Sequence, residues 1–100
     1  MKGEKKYYIG IDGGGTKTKL TLFDSDKEYI SSVIKPTVHP GQVSEEDAVN
    51  ILMSAKEELL SNIKESAYCL KVGAGLGGYG INEEYRNKLE RIFFRVYGPL

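Results

Sequence analysis

The stretch Asp12-Gly13-Gly14-Gly15-Thr16-Lys17-Thr18 directly follows the apolar run Tyr7-Tyr8-Ile9-Gly10-Ile11. Consecutive glycines are unfavourable inside a strand or a helix, so they indicate a tight turn or a backbone that closely approaches another group. Free amide N–H groups in such a turn form a concave site for an anion such as phosphate. Asp12 would repel a bare phosphate, but it fits if Mg²⁺ lies between the carboxylate and the phosphate. The stretch therefore predicts a strand that runs into a binding loop for metal–nucleotide phosphates.

A glycine-rich hairpin turn without a ligand is the simpler interpretation, because Asp-Gly is itself a strong hairpin signal. Such a turn requires neither Asp12 nor the tail Thr16-Lys17-Thr18, and these residues favour the phosphate-binding interpretation. A Walker-type P-loop is excluded by spacing, since Thr16 stands where the lysine should follow Gly10 and Gly15. That motif also leads into a helix, whereas the next segment here has the pattern of a strand.

Composition limits the classes of function. One hundred residues suffice for one modest domain. The 14 basic and 14 acidic side chains give a formal net charge of zero, so nothing predicts electrostatic binding to nucleic acid or to an anionic membrane. The apolar run before Asp12 is too short for a signal peptide or a membrane span. A single cysteine, Cys69, excludes an internal disulfide framework and is typical of a cytoplasmic protein.

Hydrophobic periodicity predicts a sheet at the start of the chain. Apolar residues alternate with polar ones over about 7–12, 18–23 and 29–34, which indicates three strands joined by short turns. Three such strands form an antiparallel meander. After a loop rich in proline and glycine, the capping-box pattern Ser44-x-x-Asp47 predicts the start of a helix with one apolar stripe.

The second half of the chain continues the alternation of strands and helices. A short buried strand is predicted over Ala67–Gly73, in which Cys69 is an inert small hydrophobe. A second helix is predicted from the N-cap Asn82 to about Phe94, and a fifth strand begins in Arg95–Leu100. The order β-β-β-α-β-α-β gives an α/β fold, a mixed sheet with helices packed on it.

This order and two glycine-rich motifs resemble the N-terminal lobe of the sugar-kinase/hsp70/actin ATPases, which have a ribonuclease H-like fold. Within that superfamily the chain is similar to the N-acetylglucosamine kinase and BadF/BadG/BcrA/BcrD ATPase family. The segment Ile9–Thr18 resembles the first phosphate motif of the family, and Gly73-Ala74-Gly75-Leu76-Gly77-Gly78 resembles its second glycine-rich stretch. The resemblance covers nearly the whole chain.

The resemblance implies roles for the residues of the first motif. Asp12 would act on Mg²⁺, through water. The β- and γ-phosphates of ATP would be held by backbone N–H groups and a hydroxyl, supplied by Gly13, Gly14, Gly15 and Thr16. Lys17 or Thr18 would add a side-chain contact, although an exposed strand lysine is an equally good interpretation of Lys17.

The second motif would contribute to the acceptor site. Gly77 and Gly78 would lie at the floor of a cleft, near the group that receives the phosphoryl. His39 is a candidate substrate contact, with a solvent-exposed loop histidine as the simpler alternative. Phosphoryl transfer depends mostly on positioning and charge neutralisation, so these residues would be sufficient for half of a site.

The resemblance implies an ATP-dependent kinase for N-acetylglucosamine or a related sugar. Its ligands would be a nucleotide and a small-molecule sugar, and a homodimer of the full-length protein is compatible with it. In the sugar kinases the general base is an aspartate on the strand after the second helix, where this chain has Tyr97-Gly98-Pro99-Leu100. We therefore expect residues 1–100 to be the N-terminal lobe of a longer protein and inactive alone. Family sugar kinases often have an asparagine where this chain has Thr37-Val38-His39-Pro40, which leaves the sugar open.

Three alternatives remain. Gly73-x-Gly75-x-x-Gly78 formally satisfies the dinucleotide fingerprint, but Glu83 and Glu84 in the first turn of the next helix would repel a pyrophosphate. An activator ATPase of the 2-hydroxyacyl-CoA dehydratase type resembles the same family and holds an iron–sulfur cluster through cysteines in a later segment. A nucleotide-binding module without catalysis would keep the first motif and lack the base.

Overall fold

The described part of the chain folds into a four-stranded mixed sheet with two helices. The computed structural model describes residues 5–64 and 68–98. The elements are β1 (Lys5–Gly13), β2 (Lys17–Phe23), β3 (Tyr29–Pro36), α1 (Glu45–Leu60), β4 (Tyr68–Leu76) and α2 (Glu83–Tyr97). The sheet order is β3-β2-β1-β4, with β1 antiparallel to β2 and parallel to β4. The predicted antiparallel meander and the predicted mixed sheet are both confirmed.

One face of the sheet carries the core. Alternating side chains of β1 and β2, namely Ile9, Ile11, Leu20 and Leu22, are at most 4% exposed and belong to one cluster with the apolar residues of both helices. The intervening positions, from Tyr8 to Asp12 on β1 and from Lys19 to Phe23 on β2, therefore lie on the opposite face. The candidate acidic residue thus comes from the face that the helices leave open.

Both helices start where their caps predict. The Ser44 side chain accepts a hydrogen bond from the Asp47 amide at 3.1 Å, and that of Asn82 accepts one from the Tyr85 amide at 2.7 Å. Such caps each stabilise a helix by about 1 kcal/mol. Most residues predicted to face inward are buried, namely Ala48, Leu52, Ala55 and Leu59 on α1, and Leu89, Ile92 and Phe93 on α2. Two others predicted with them are only half-buried: Ile63, which lies beyond the end of α1, and Tyr85.

The predicted fifth strand is wrong over residues 95–97, because these residues continue α2. Val96 is 3% exposed and lies four positions after Ile92, so the apolar stripe of the helix extends one turn further than predicted. The helix ends at Gly98, whose φ is 78° and whose amide donates to the carbonyl of Phe94 at 2.8 Å. Residues 99 and 100 lie outside the described part of the chain.

The prediction that the fourth strand is buried is also wrong. Cys69, Leu70 and Val72 are half-buried, and Gly73 and Ala74 are exposed. Within residues 5–64 and 68–98, β4 pairs with β1 alone, so its other edge is not covered. The predicted first residue of this strand, at position 67, lies outside the described residues. In the same ranges, no helix is long and apolar enough to cross a membrane.

Candidate functional site

The three consecutive glycines form the hairpin between β1 and β2. Gly13 is still a strand residue, paired with Thr18 on one side and Leu76 on the other, and the Gly14 amide donates to the carbonyl of Lys17 at 3.0 Å. Two of the four amides that were predicted to bind phosphate are therefore committed to the sheet and the turn. The amides of Gly15 and Thr16 have no acceptor among the described residues, so the free donors lie at the tip of the hairpin.

Neither the backbone conformation nor crowding by the described residues requires a glycine at position 14. Its φ lies outside the left-handed region, and a Cβ built there would meet nothing within 4 Å. A side chain would fill this open space next to the free amide of Gly15. The hairpin tip is thus an exposed backbone surface that a ligand can approach closely.

The second glycine segment lies against the first. The Gly77 amide donates to the carbonyl of Gly13 at 2.8 Å, which continues the pairing of β4 with β1. Gly78 has a φ of 90°, a conformation that other residues rarely adopt. A Cβ at Gly78 would stand 3.0 Å from Nε2 of His39 and 3.0 Å from Cδ of Pro40. The turn after β4 is therefore in direct contact with the loop that precedes α1.

The loop before α1 lies against both glycine segments. Together the hairpin Gly13–Thr16, the turn of Gly77 and Gly78 and this loop form a corner at the end of β1. The Thr37 hydroxyl donates to the carbonyl of Gly14 at 2.6 Å and accepts from the His39 amide at 3.0 Å. Further along, the side-chain Nε2 of Gln42 lies 3.4 Å from the position of a Cβ on Gly15. Thr37 and Gln42 were not predicted as site residues, because neither belongs to a motif. Their signal is their place in a loop rich in proline and glycine.

His39 is half-buried, so it is not the exposed loop histidine of the simpler interpretation. Its Nδ1 accepts a hydrogen bond from the Gly41 amide at 3.0 Å, and its ring meets that of Tyr85 edge to face at 5.8 Å. A ring nitrogen that accepts a hydrogen bond carries no proton, so in the neutral ring the proton is assigned to Nε2. His39 therefore presents an N–H donor on the side that faces Gly78.

Asp12 lies at the end of β1 on the open face of the sheet. Its side chain is exposed and makes no hydrogen bond or ion pair with the described residues. Its neighbours across the strands are Lys19 and Gly75, and all three line a cavity of about 370 Å³. Lys19 was not predicted as a site residue, although the hairpin register places it directly opposite Asp12.

The residues at the end of β1 fit a Mg²⁺ ion whose coordination shell is completed by substrate phosphates and water. No group of three or more ligating side chains exists in the described ranges, so the candidate ligand at the end of β1 is the single carboxylate of Asp12. Mg²⁺ in phosphoryl-transfer sites is typically held by one or two carboxylates together with substrate phosphates and water. Gly75 has no side chain, and a Cβ there would meet nothing within 4 Å, which leaves room beside the carboxylate.

The structure argues against the side-chain contact predicted of Thr18. Thr18 is 0% exposed, and its hydroxyl donates to the carbonyl of Pro36 at 3.0 Å. Thr18 lies on the same face of β2 as Leu20 and Leu22, so its side chain points into the core. Lys17 lies on the opposite face, is exposed and stays a candidate for the side-chain contact with phosphate.

The turn after β4 carries two apolar side chains at its surface. Tyr79 is 40% exposed and Ile81 is 65% exposed. The Tyr79 hydroxyl donates to Oε2 of Glu90 at 2.7 Å, and this hydrogen bond raises the pKa of Tyr79. The phenol therefore remains a protonated anchor that ties the turn to α2.

The comparison with protein families identifies the group to which the chain belongs. The BadF/BadG/BcrA/BcrD ATPase family matches residues 9–97, so this chain is a member of that family. A 40-residue stretch is 48% identical to a fructokinase of Zymomonas mobilis subsp. mobilis, and it covers 40% of this chain and 13% of the fructokinase.

Solved structures share the fold. A Chromobacterium violaceum protein assigned as an N-acetylglucosamine kinase is 25% identical, with a TM-score of 0.67 over 85% of this chain and 30% of that one. A Ppx/GppA family member from Aquifex aeolicus is 18% identical, with a TM-score of 0.61 over 92% of this chain and 33% of that one. The predicted α/β fold of the actin-like ATPases, with its ribonuclease H-like mixed sheet, is confirmed. The chain spans about a third or less of these relatives.

Proposed function

We propose that this chain is the N-terminal lobe of an ATP-dependent sugar kinase, with Mg²⁺ and ATP as its cofactors. The observation that carries the proposal is the convergence of three separate segments at the carboxyl end of β1. They are the hairpin of Gly13–Thr16, the turn of Gly77 and Gly78, and the loop from Thr37 to Gln42. A kinase needs a phosphate site beside an acceptor site, and this corner offers donors suited to each.

The hairpin tip would bind the β- and γ-phosphates. The free amides of Gly15 and Thr16 donate, the bare Cα of Gly14 allows close approach, and the exposed side chains of Lys17 and Lys19 add positive charge. Asp12 would hold Mg²⁺, directly or through water. Bound Mg²⁺ supplies neutralisation of the charge on the phosphate oxygens.

The acceptor would lie beside Gly77 and Gly78. The Nε2–H of His39 suits a hydroxyl or carbonyl oxygen, and the exposed side chains of Tyr79 and Ile81 suit the apolar parts of a sugar. N-acetylglucosamine or a related sugar matches this combination. The similarity to an N-acetylglucosamine kinase and to a fructokinase supports an acceptor of this class.

The other half of the site would come from a second lobe. A general base to deprotonate the acceptor hydroxyl is expected from the strand that follows α2, and the adenosine would contact the second lobe. On this basis we expect the 100-residue chain to lack turnover by itself. We also expect the full-length protein to act in the cytoplasm.

The test measures ADP release by the full-length protein with a panel of hexoses and N-acetylhexosamines. We expect release that depends on one sugar, with formation of its phosphate ester. Release without dependence on any sugar would replace the kinase by an activator ATPase, and no release would replace it by a nucleotide-binding module. The variant Asp12→Asn serves as the inactive control.

A further inference from the structure

Lys88 connects α2 to the loop that carries His39. Its ammonium group donates to the carbonyl of Pro40 at 2.9 Å and to that of Val43 at 2.8 Å. Both bonds are partly buried, and their acceptors lie 48 and 45 positions earlier in the chain. A lysine ammonium has three N–H donors, and two of them are used here on one short loop.

The loop between these two carbonyls is folded around His39. The carbonyl of His39 accepts from the amides of Gln42 and Val43 at 2.9 and 3.2 Å, and Nδ1 accepts from the Gly41 amide at 3.0 Å. These bonds shape the turn internally, but they do not fix its position relative to the glycine segments.

The Thr37 hydroxyl joins the His39 amide to the carbonyl of Gly14, and two side chains of α2 hold the turn from its other side. Tyr85 meets the His39 ring edge to face, and a Cβ on Gly41 would stand 2.5 Å from its hydroxyl. Tyr85 thus covers one side of the turn so closely that a side chain at Gly41 would require the tyrosine ring to shift. Lys88, one helical turn further along α2, holds the carbonyls at its two ends. Neither residue contacts the hairpin of β1 and β2 in the described part of the chain.

We propose that Lys88 is a positioning residue of the acceptor site. By holding Pro40 and Val43 it keeps the Nε2–H of His39 over Gly78, where the acceptor oxygen would bind. The proposal rests on the proposed kinase function, because it assigns the acceptor to this side of the corner. Lys88 contacts the loop and not the amides of Gly15 and Thr16, so we expect the acceptor side to respond more strongly than the phosphate side, which the loop reaches through Thr37 and Gln42.

The kinetic test compares two lysine variants of the full-length protein. Lys88→Met keeps the apolar stem and removes the donors, and we expect the KM for the sugar to rise about tenfold, with the KM for ATP unchanged within about twofold. Lys56→Met is the matched control, because Lys56 is a half-buried lysine that donates to the carbonyl of Val96 at 2.7 Å, outside the three segments of the corner. We expect it to change neither KM, even where it lowers Tm as much. Lys88→Arg should restore part of the affinity for the sugar.

A spectroscopic test does not depend on activity. In full-length protein labelled with ¹⁵N-histidine, the signals of His39 are assigned by their loss in His39→Gln. We expect a single Nε2–H tautomer in the parent protein and in Lys56→Met, and a mixture of tautomers in Lys88→Met. If Lys88→Met does not fold, Lys88→Gln, which retains one amide donor group, takes its place.

The outcomes separate the two proposals. An unchanged His39 tautomer and an unchanged KM for the sugar in the Lys88 variant would overturn the positioning role. Equal rises of the KM values for sugar and ATP would also overturn it and would leave a structural role for the lysine. If Lys88→Met shows a mixture of His39 tautomers but the parent protein phosphorylates no sugar, the positioning of His39 would be supported and the kinase function contradicted.

Discussion

The substitution Gly14→Ala separates binding from stability more sharply than any other in the hairpin. A Cβ at this position meets nothing within 4 Å, and φ lies outside the left-handed region, so alanine fits without strain. Replacing glycine at such a site stabilises a protein by about 0.4–1 kcal/mol, because the unfolded chain loses conformational freedom. We therefore expect Tm of the nucleotide-free, full-length protein to rise slightly or to stay constant.

The same methyl group should weaken nucleotide binding. It would stand in open space next to the amide of Gly15 and keep a phosphate from approaching this donor closely. A hydrogen bond to a charged group contributes about 1.5–3 kcal/mol, so the loss of this bond predicts a Kd for Mg·ATP that rises by a factor of about 10 to 150.

Isothermal titration calorimetry of the full-length protein with Mg·ATP measures this change, and differential scanning calorimetry measures Tm. Gly80→Ala is the matched control, because a Cβ there also meets nothing within 4 Å but lies in the turn after β4, beside α2. We expect this variant to bind like the parent protein. A Gly14→Ala protein with unchanged affinity would refute the assignment of the hairpin tip as the phosphate site.

Three further predictions concern the corner and the helix that supports it. Asp12→Asn should lower kcat by a factor of about 100 to 1,000 in steady-state assays. Its free energy of unfolding should change by less than about 0.5 kcal/mol, since the exposed carboxylate has no partner in the described ranges; a parent-like kcat would contradict the role in Mg²⁺ binding. Gly78→Ala should destabilise the protein by about 1–3 kcal/mol, because φ is 90° and a Cβ would crowd His39 at 3.0 Å; a parent-like Tm would show that this backbone strain has been misjudged. Burial raises the pKa of Tyr97 from 10.0 to about 12, so its contribution to stability is complete below pH 10 and is lost as the pH rises towards 12, a loss of about 2–3 kcal/mol. Tyr97→Phe should therefore lose less stability than the parent protein between pH 9 and about pH 11 in denaturant titrations, and equal losses would contradict the burial of this phenol.

Much of the fold could be predicted because short-range patterns dictate it. Alternation in β1 and β2 reports which face is buried, and Ser44 and Asn82 satisfy amides of their own helices. The same alternation places Thr18 in the core beside Leu20, and this burial outweighs the phosphate contact that the motif predicts.

The remaining features depend on contacts that sequence patterns do not report. The contact of His39 with Gly78, and the bonds from Lys88 to the loop, join residues that are about 40 or more positions apart. No local periodicity encodes such a pairing, since it follows from how α2 packs beside the loop. The two free amides at the hairpin tip likewise depend on a bond from Gly14 to Lys17 that the glycine run does not specify.

The most direct test of the central claim is a crystal structure of the full-length protein with Mg²⁺ and a non-hydrolysable ATP analogue. We expect phosphate oxygens at about 2.7–3.2 Å from the amide nitrogens of Gly15 and Thr16, and Mg²⁺ between the phosphates and the carboxylate of Asp12, directly or through water. Phosphates bound at another site, with the hairpin tip in contact with solvent alone, would contradict the account.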